Sequence, residues 1–302
     1  MTATTTPNPS VSFVNFLLGI KPLANLARNR ARAMMIKRAE NIGVPWRDRV
    51  TQLKTLNWEQ RRTPIENPAV HYPDYYHRAF HAYDQGNLSW EAALEVEVAA
   101  YSVHAMLQPE DPKGGDAYLR SSYHNILQAQ IPTPQRILDL GCSVGMSTFA
   151  LQDLYPEAEI TGLDLSPYFL AVAQYNSETQ QRSVTWHHAA AEQTGLPAGS
   201  FDLVSASLIF HELPCDAARA IFTEARRLLR PGGHFAIMDM NPRSPIYGKM
   251  PPYIFTLLKS TEPYLDQYFT LNLETELPQA GFTVPTITPT TIRHRAIVAQ
   301  AC

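Results

Sequence analysis

Beyond residue 130 the chain alternates between short apolar runs and stretches whose apolar residues recur at helical spacing. The runs predict strands over 136–140, 159–163, 183–188, 202–207 and 234–239, each bounded by turn residues. Between the last two, Ala218, Ile221, Phe222, Ala225, Leu228 and Leu229 fall on one helical face, the face expected to lie on a sheet. Strands alternating with helices require right-handed crossovers and a parallel sheet, which places the chain in the α/β class. Two further runs after Gly281, at 283–288 and 293–299, predict a closing hairpin. The first third reads differently. Residues 40–110 are dense in rings and predict an all-helical region, with Ser89 as N-cap of a helix over Glu91–Leu107, and 116–130 predicts one more helix before the first strand.

The first strand runs into RILDLGCSVGMST, Arg136 to Thr148, where glycines after a buried strand let the backbone turn and open a helix whose free N–H groups face a ligand. Three readings compete for this turn. A dinucleotide fingerprint wants glycine where Ser143 and Met146 stand. A nucleophile elbow, G-x-S-x-G, is matched with Ser143 as nucleophile and would make the chain a serine hydrolase, but no oxyanion-hole glycine cluster precedes it. The third reading is an S-adenosylmethionine turn, with an acid, Asp139, two places before Gly141.

The following segments favour the third. A second strand ends in Asp164, placed to accept hydrogen bonds from two ribose hydroxyls. A later strand runs through Ser207 toward His211 and Glu212, and Arg226–Met240 gives a helix end, a Pro-Gly-Gly turn and another strand. In these four ordered motifs residues 115–302 resemble the class I S-adenosylmethionine-dependent methyltransferases, particularly the branch acting on quinols, sterols and other small molecules. The resemblance implies a Rossmann-like, seven-stranded, mostly parallel sheet with its last strand antiparallel. It also implies S-adenosyl-L-methionine as methyl donor, leaving S-adenosyl-L-homocysteine, with Asp139, Gly141, Cys142, Ser143 and Gly145 at the methionine part, Asp164 and Leu165 at the ribose, Ala191 and Glu192 toward the adenine, and Ser207 beside them. The family's central glycine is Ser143 here, so its side chain is expected to point away from the cofactor. His211, after the fourth strand, is the expected general base, oriented by Glu212, and Tyr118, Tyr123 and His124 are expected near cofactor or acceptor. A Pro- and Tyr-rich insertion, 241–269, with Tyr247 and Tyr253, reads as a lid over a small apolar or aromatic acceptor with an oxygen, carbon or nitrogen nucleophile. A cofactor-binding protein without catalysis is the remaining rival.

Composition narrows the rest. At 302 residues, 45% hydrophobic, the chain can build one α/β core with additions: a flexible or interfacial segment 1–20, a helical cap 21–114, and the catalytic domain 115–302. A net charge of −3 gives no pull toward nucleic acid. Cys142, Cys215 and Cys302 offer neither a disulfide framework nor a metal pattern, which fits a cytoplasmic location. His77 and His81, one helical turn apart, have metal-pair spacing but lack a defined third ligand, so no metal is expected. Val11–Ile20 is apolar yet shorter than the roughly 20 residues that span a bilayer. Six Lys or Arg follow between Lys21 and Arg38, before the chain's first acid at Glu40. This stretch reads as a helix with a solvated basic face, as a peripheral membrane anchor through Phe13, Phe16 and Leu17, or as a transit peptide. Oligomeric state is not encoded in any visible pattern.

Overall fold

The computed structural model describes residues 21–78, 81, 83–251, 254, 258 and 261–302. Seven strands form one sheet: β1 (Arg136–Leu140), β2 (Glu159–Asp164), β3 (Thr185–His188), β4 (Phe201–Ser207), β5 (Leu229–Met240), β6 (Thr286–Pro289) and β7 (His294–Gln300). Their order is β3-β2-β1-β4-β5-β7-β6, and β7 alone runs antiparallel to its neighbours. The expected α/β class and closing hairpin are both present.

Period-two alternation decides what each face buries. Leu138, Leu140, Val204, Ala206, Phe235 and Ile237 point to one side, against Ala218, Ile221, Phe222, Ala225 and Leu228 of the helix Cys215–Leu228. Ile137, Leu203, Ala236 and Met238 point to the other, against Leu119, Tyr123 and Leu127 of the helix Gly115–Gln130. Covering both faces explains why the strands read as unbroken apolar runs. Each large buried side chain, such as Phe222, contributes about 1.5–3 kcal/mol of transfer free energy.

The first third is helical only in part: between Arg62 and Trp90, where the rings are densest, the described residues form no α-helix and only the short turn Asp74–His77, so the all-helical expectation fails there. Its longest elements are Lys21–Asn41, Trp46–Lys54 and Trp90–His104, the last capped by Ser89. The first of these packs along the third. Its basic stripe is not wholly solvated: Arg32 Nε donates to Glu95 Oε2 at 2.8 Å, a carboxylate that also accepts from Tyr83 OH at 3.0 Å. Phe13, Phe16 and Leu17, the expected anchor, lie outside the described residues. Among the described residues no helix is long and apolar enough to cross a membrane.

Parallel strands bring their carboxyl ends to one edge of the sheet. Strand order reverses between β1 and β4, and that is where such sheets open a crevice. Because β7 is antiparallel, its start joins the same edge: His294 pairs with Met240, the last residue of β5. The helices Lys21–Asn41 and Trp90–His104 and the segment after β5 close over this edge.

Candidate functional site

A cavity of about 520 Å³ lies at that edge. One wall is the turn after β1. Gly141 and Cys142 donate backbone N–H bonds to Leu163 O at 2.8 and 3.0 Å, stitching the turn to β2. Gly145, at φ +89, caps the helix Met146–Leu154, and a Cβ there would meet Trp186 at 2.8 Å and Phe149 at 2.9 Å. Ser143 also takes the left-handed region, φ 51, where a residue with Cβ pays strain.

The two acids of this wall are used differently. Asp164 lines the cavity, with Oδ2 accepting from Ser143 N and Oδ1 from Ser166 N, both at 2.8 Å. Each oxygen keeps a lone pair for a ligand. Burial pushes its carboxyl up to about 7 against those two bonds. Asp139 does not line the cavity. It sits on the strand face that looks at the helix Met146–Leu154, and its Oδ2 accepts from Ser147 Oγ at 2.6 Å and Thr148 Oγ1 at 2.7 Å. Burial raises it to about 6 despite both hydroxyls. Its contribution is to pin strand to helix and so shape the turn. Gly145 likewise shapes the turn without lining the cavity, whereas Gly141, Cys142, Ser143, Leu165, Ala191, Glu192 and Ser207 all line it.

Ser143 Oγ is buried without a hydrogen-bond partner, so no base activates it as a nucleophile would require. Ser143 lines the cavity, but its Oγ is itself buried. Glu192 receives Tyr75 OH on Oε1 at 2.5 Å and leaves Oε2 buried and unpaired. The wall thus carries several acceptor atoms waiting for a donor.

The adjoining wall centres on His211, in the single helical turn Phe210–Glu212 after β4. Its orienting partner is Asp239 of β5, not Glu212. Asp239 Oδ1 meets His211 Nδ1 at 2.7 Å, and Oδ2 accepts from Phe210 N at 2.9 Å and His211 N at 3.3 Å. Burial lowers the ring's proton affinity, but Asp239, by charge and hydrogen bond, and then Glu262 and Glu212, carry it up to about 10. With Nδ1 engaged, Nε2 is the ring atom left for a ligand. Glu212 pairs with His81, whose Nε2 lies 3.4 Å from both Glu212 Oε1 and Glu262 Oε1. Burial lowers His81 too, yet the two carboxylates bring it up to about 9, and the three ligand atoms lie within 4.8 Å of one another, close enough to hold a cation. His77 and His81 do not fall one helical turn apart: the helical turn ends at His77, whose ring meets Tyr72, and His81 adopts φ 51.

Of the residues expected near the acceptor, Tyr247 lines the cavity and Tyr253 lies outside the described residues. Tyr118 is exposed and away from the cavity. Tyr123 is core: its ring is fully enclosed and its OH meets Ser205 Oγ at 3.0 Å under the sheet. His124 neighbours that ring and is pushed down to about 4 by burial, again away from the cavity. The helix carrying these three covers the sheet's face, and only its first turns approach the edge. Asp239, Glu262 and Tyr76 were not anticipated. Asp239 had a signal, a lone carboxylate inside the buried run AIMDM. The others depend on how distant segments fold over the edge.

Residues 137–233 match the methyltransferase domain family. The chain is 35% identical over 150 residues to an uncharacterised methyltransferase of Synechocystis, covering 50% of this chain and 68% of that protein. It is 33% identical over 109 residues to a demethylmenaquinone methyltransferase of Thermus thermophilus, covering 36% of this chain and 49% of that one, about half the relative's length. Its fold is similar to phosphoethanolamine N-methyltransferase 2 of Haemonchus contortus in complex with S-adenosyl-L-methionine, at a TM-score of 0.52 and 15% identity over 72% of this chain and 61% of that one.

Proposed function

Because the chain belongs to the class I S-adenosylmethionine-dependent methyltransferases, we propose that the cavity at the carboxyl edge of the sheet holds donor and acceptor together and that the acceptor is a small molecule with an apolar or aromatic body. The observation that carries this reading is the convergence on one cavity of the β1 turn with Asp164 and of His211, held by Asp239. When bound, S-adenosylmethionine supplies a sulfonium methyl that is already activated for displacement.

The residues fit that donor. Asp164 would take the ribose hydroxyls on its spare lone pairs, the unpaired Glu192 Oε2 would take a donor from the adenine end, and Gly141, Cys142, Ser143, Leu165, Ala191 and Ser207 would form the surrounding wall. Asp139 and Gly145 would act through the shape of the turn. Most of the acceleration would come from alignment and exclusion of water, which oriented intramolecular reactions value at about 7–11 kcal/mol. His211 is the proposed base, removing a proton at Nε2 while Asp239 holds the ring. Residues 115–302 would form the catalytic unit, 21–114 its cap, and Tyr247 part of a lid within 241–269.

The test is incubation of the protein and cell extract with isotopically labelled methyl donor, followed by mass spectrometry. A labelled small molecule that is absent with His211→Ala is expected, with S-adenosylhomocysteine binding unchanged in that variant. Transfer of label undiminished in the variant removes His211 from the chemistry, and no stabilisation by S-adenosylhomocysteine removes the whole reading.

A further inference from the structure

The cavity is longer than the two walls just described. It continues between the helices Lys21–Asn41 and Trp90–His104, along an apolar lining that includes Met34, Met35, Val96, Ala99, Val103 and Leu107. Met34 and Val103 are 47% and 41% exposed, among the few large apolar side chains left open to water, and they lie on this same lining. A wall with two methionines adapts to irregular aliphatic shapes. The span from Val96 to Val103 offers about 10 Å of helix to a chain laid beside it.

Three arginines also face the cavity, and they differ in what balances them. Arg120 is held by Asp116, with Nε donating to Oδ2 at 2.8 Å and Nη2 to Oδ1 at 3.2 Å. Arg38 and Arg293 have no carboxylate partner among the described residues. Arg293 Nε is buried and unpaired, and burial together with the nearby Arg38 charge holds that guanidinium below its ordinary range. Other charges on this side do not compensate them. Asp116 is committed to His104 and Arg120, while Glu212 and Glu262 face His81. Arg293 is partly buried and Arg38 adds its charge to the same lining from an exposed position, a pairing that an oxyanion would satisfy through charge-assisted bonds.

We propose that this branch of the cavity is the acceptor's second subsite and takes an amphipathic acid, its apolar chain along Met34, Val96 and Val103 and its carboxylate or phosphate between Arg38 and Arg293. The assignment rests on the reading that the cavity is the acceptor site. It narrows the acceptor from any apolar small molecule to an apolar organic anion.

Calorimetry on the full chain saturated with S-adenosylhomocysteine tests this with three probes of equal chain length: dodecanoate, dodecyl phosphate and dodecanol. Both acids should bind at least about tenfold more tightly than the alcohol, the difference expected of one charge-assisted contact. The stronger of the two acids identifies the class of anion. In the double variant Arg38→Gln, Arg293→Gln the advantage should vanish while dodecanol and S-adenosylhomocysteine bind as before. Should the double variant fold poorly, Arg38→Gln alone, at an exposed position, should lose most of the advantage. Equal binding of acid and alcohol, or an advantage that survives both variants, overturns the proposal. Absence of S-adenosylhomocysteine binding would instead count against the methyltransferase site, because the probes read the second subsite without it.

Discussion

Replacing Asp239 by asparagine tests whether the pair adjoining the cofactor turn sets the chemistry. Asp239 accepts four N–H groups: Phe210 N and His211 N on one oxygen, and His211 Nδ1 and Met240 N on the other. An asparagine keeps one carbonyl oxygen and turns its NH2 toward two of these donors, so half of the arrangement becomes repulsive. Losing one partner of a buried ion pair costs about 3–5 kcal/mol. Stability carries a sign here. The folded-state affinity of His211 for its proton is raised from 6.5 to about 10, so the stabilisation is fully present below 6.5 and is lost as pH rises through about 10. The variant's deficit should therefore be largest below pH 6.5 and shrink on the alkaline side. The same shift governs catalysis, because at pH 8 only about one ring in a hundred is neutral when the midpoint is near 10. In the variant, burial dominates and the ring should titrate below 6.5. Carbon–proton correlation spectra of histidine-labelled full chain between pH 5 and 11, with His211→Gln assigning the resonance, read this directly and require no acceptor. A native His211 that titrates near its ordinary value, or one unmoved by Asp239→Asn, refutes the dyad.

Other outcomes follow from the same geometry. Asp164→Asn should weaken S-adenosylhomocysteine binding by about ten- to a hundredfold, since one amide replaces a carboxylate that bridges the turn and the ribose, and unaltered calorimetric affinity would exclude that role. With Asp164 near 7 and required ionised, affinity for the same compound should fall as pH drops below 7, by at most about tenfold per pH unit, with proton release on binding measurable in buffers of different ionisation heat. Gly145→Ala should lower thermal stability by about 1–2 kcal/mol from the positive φ alone, with the Trp186 and Phe149 contacts adding to it. Tyr123→Phe should leave methyl transfer unchanged and cost about 1 kcal/mol of stability, because its hydroxyl bonds Ser205 under the sheet; a large loss of turnover would return Tyr123 to the site.

The sheet was legible because its strands are covered on both faces and therefore announce themselves as apolar runs between turn residues. The turn after β1 was legible for a related reason: it is built from consecutive residues at the ends of two paired strands, so Gly141–Gly145 and Asp164 follow short-range patterns in the sequence. Strand parity sets the role of Asp139, since alternate residues of β1 face opposite ways and its carboxylate ends against Ser147 and Thr148. The rest of the cavity is non-local. Arg38 and His81 lie more than 180 residues before Glu262 and Arg293, and no spacing rule connects the two groups. The helix Gly115–Gln130 misled for a simpler reason, because its aromatic residues belong to the face that packs on the sheet.

Charge distribution ties the two walls to one mechanism. Asp164, Glu262 and Asp139 are each raised by burial, to about 7, 7 and 6, so near neutrality Asp164 and Glu262 are poised between their two forms while Asp139 is mostly ionised. Raised acids stabilise the fold below about pH 4 and lose that contribution as pH passes through 6 to 7. A cationic donor beside Asp164 would tip that balance and draw the carboxylates into their ionised state. The same positive charge would disfavour a proton on His211, lowering its affinity from the empty-site value toward the range where it can act as a base. Donor occupancy would then prepare the acceptor side electrostatically, and the chain would bind donor before it could remove a proton from the acceptor. An ordered kinetic pattern with donor first is the expected result, and a random order would break the link between the walls.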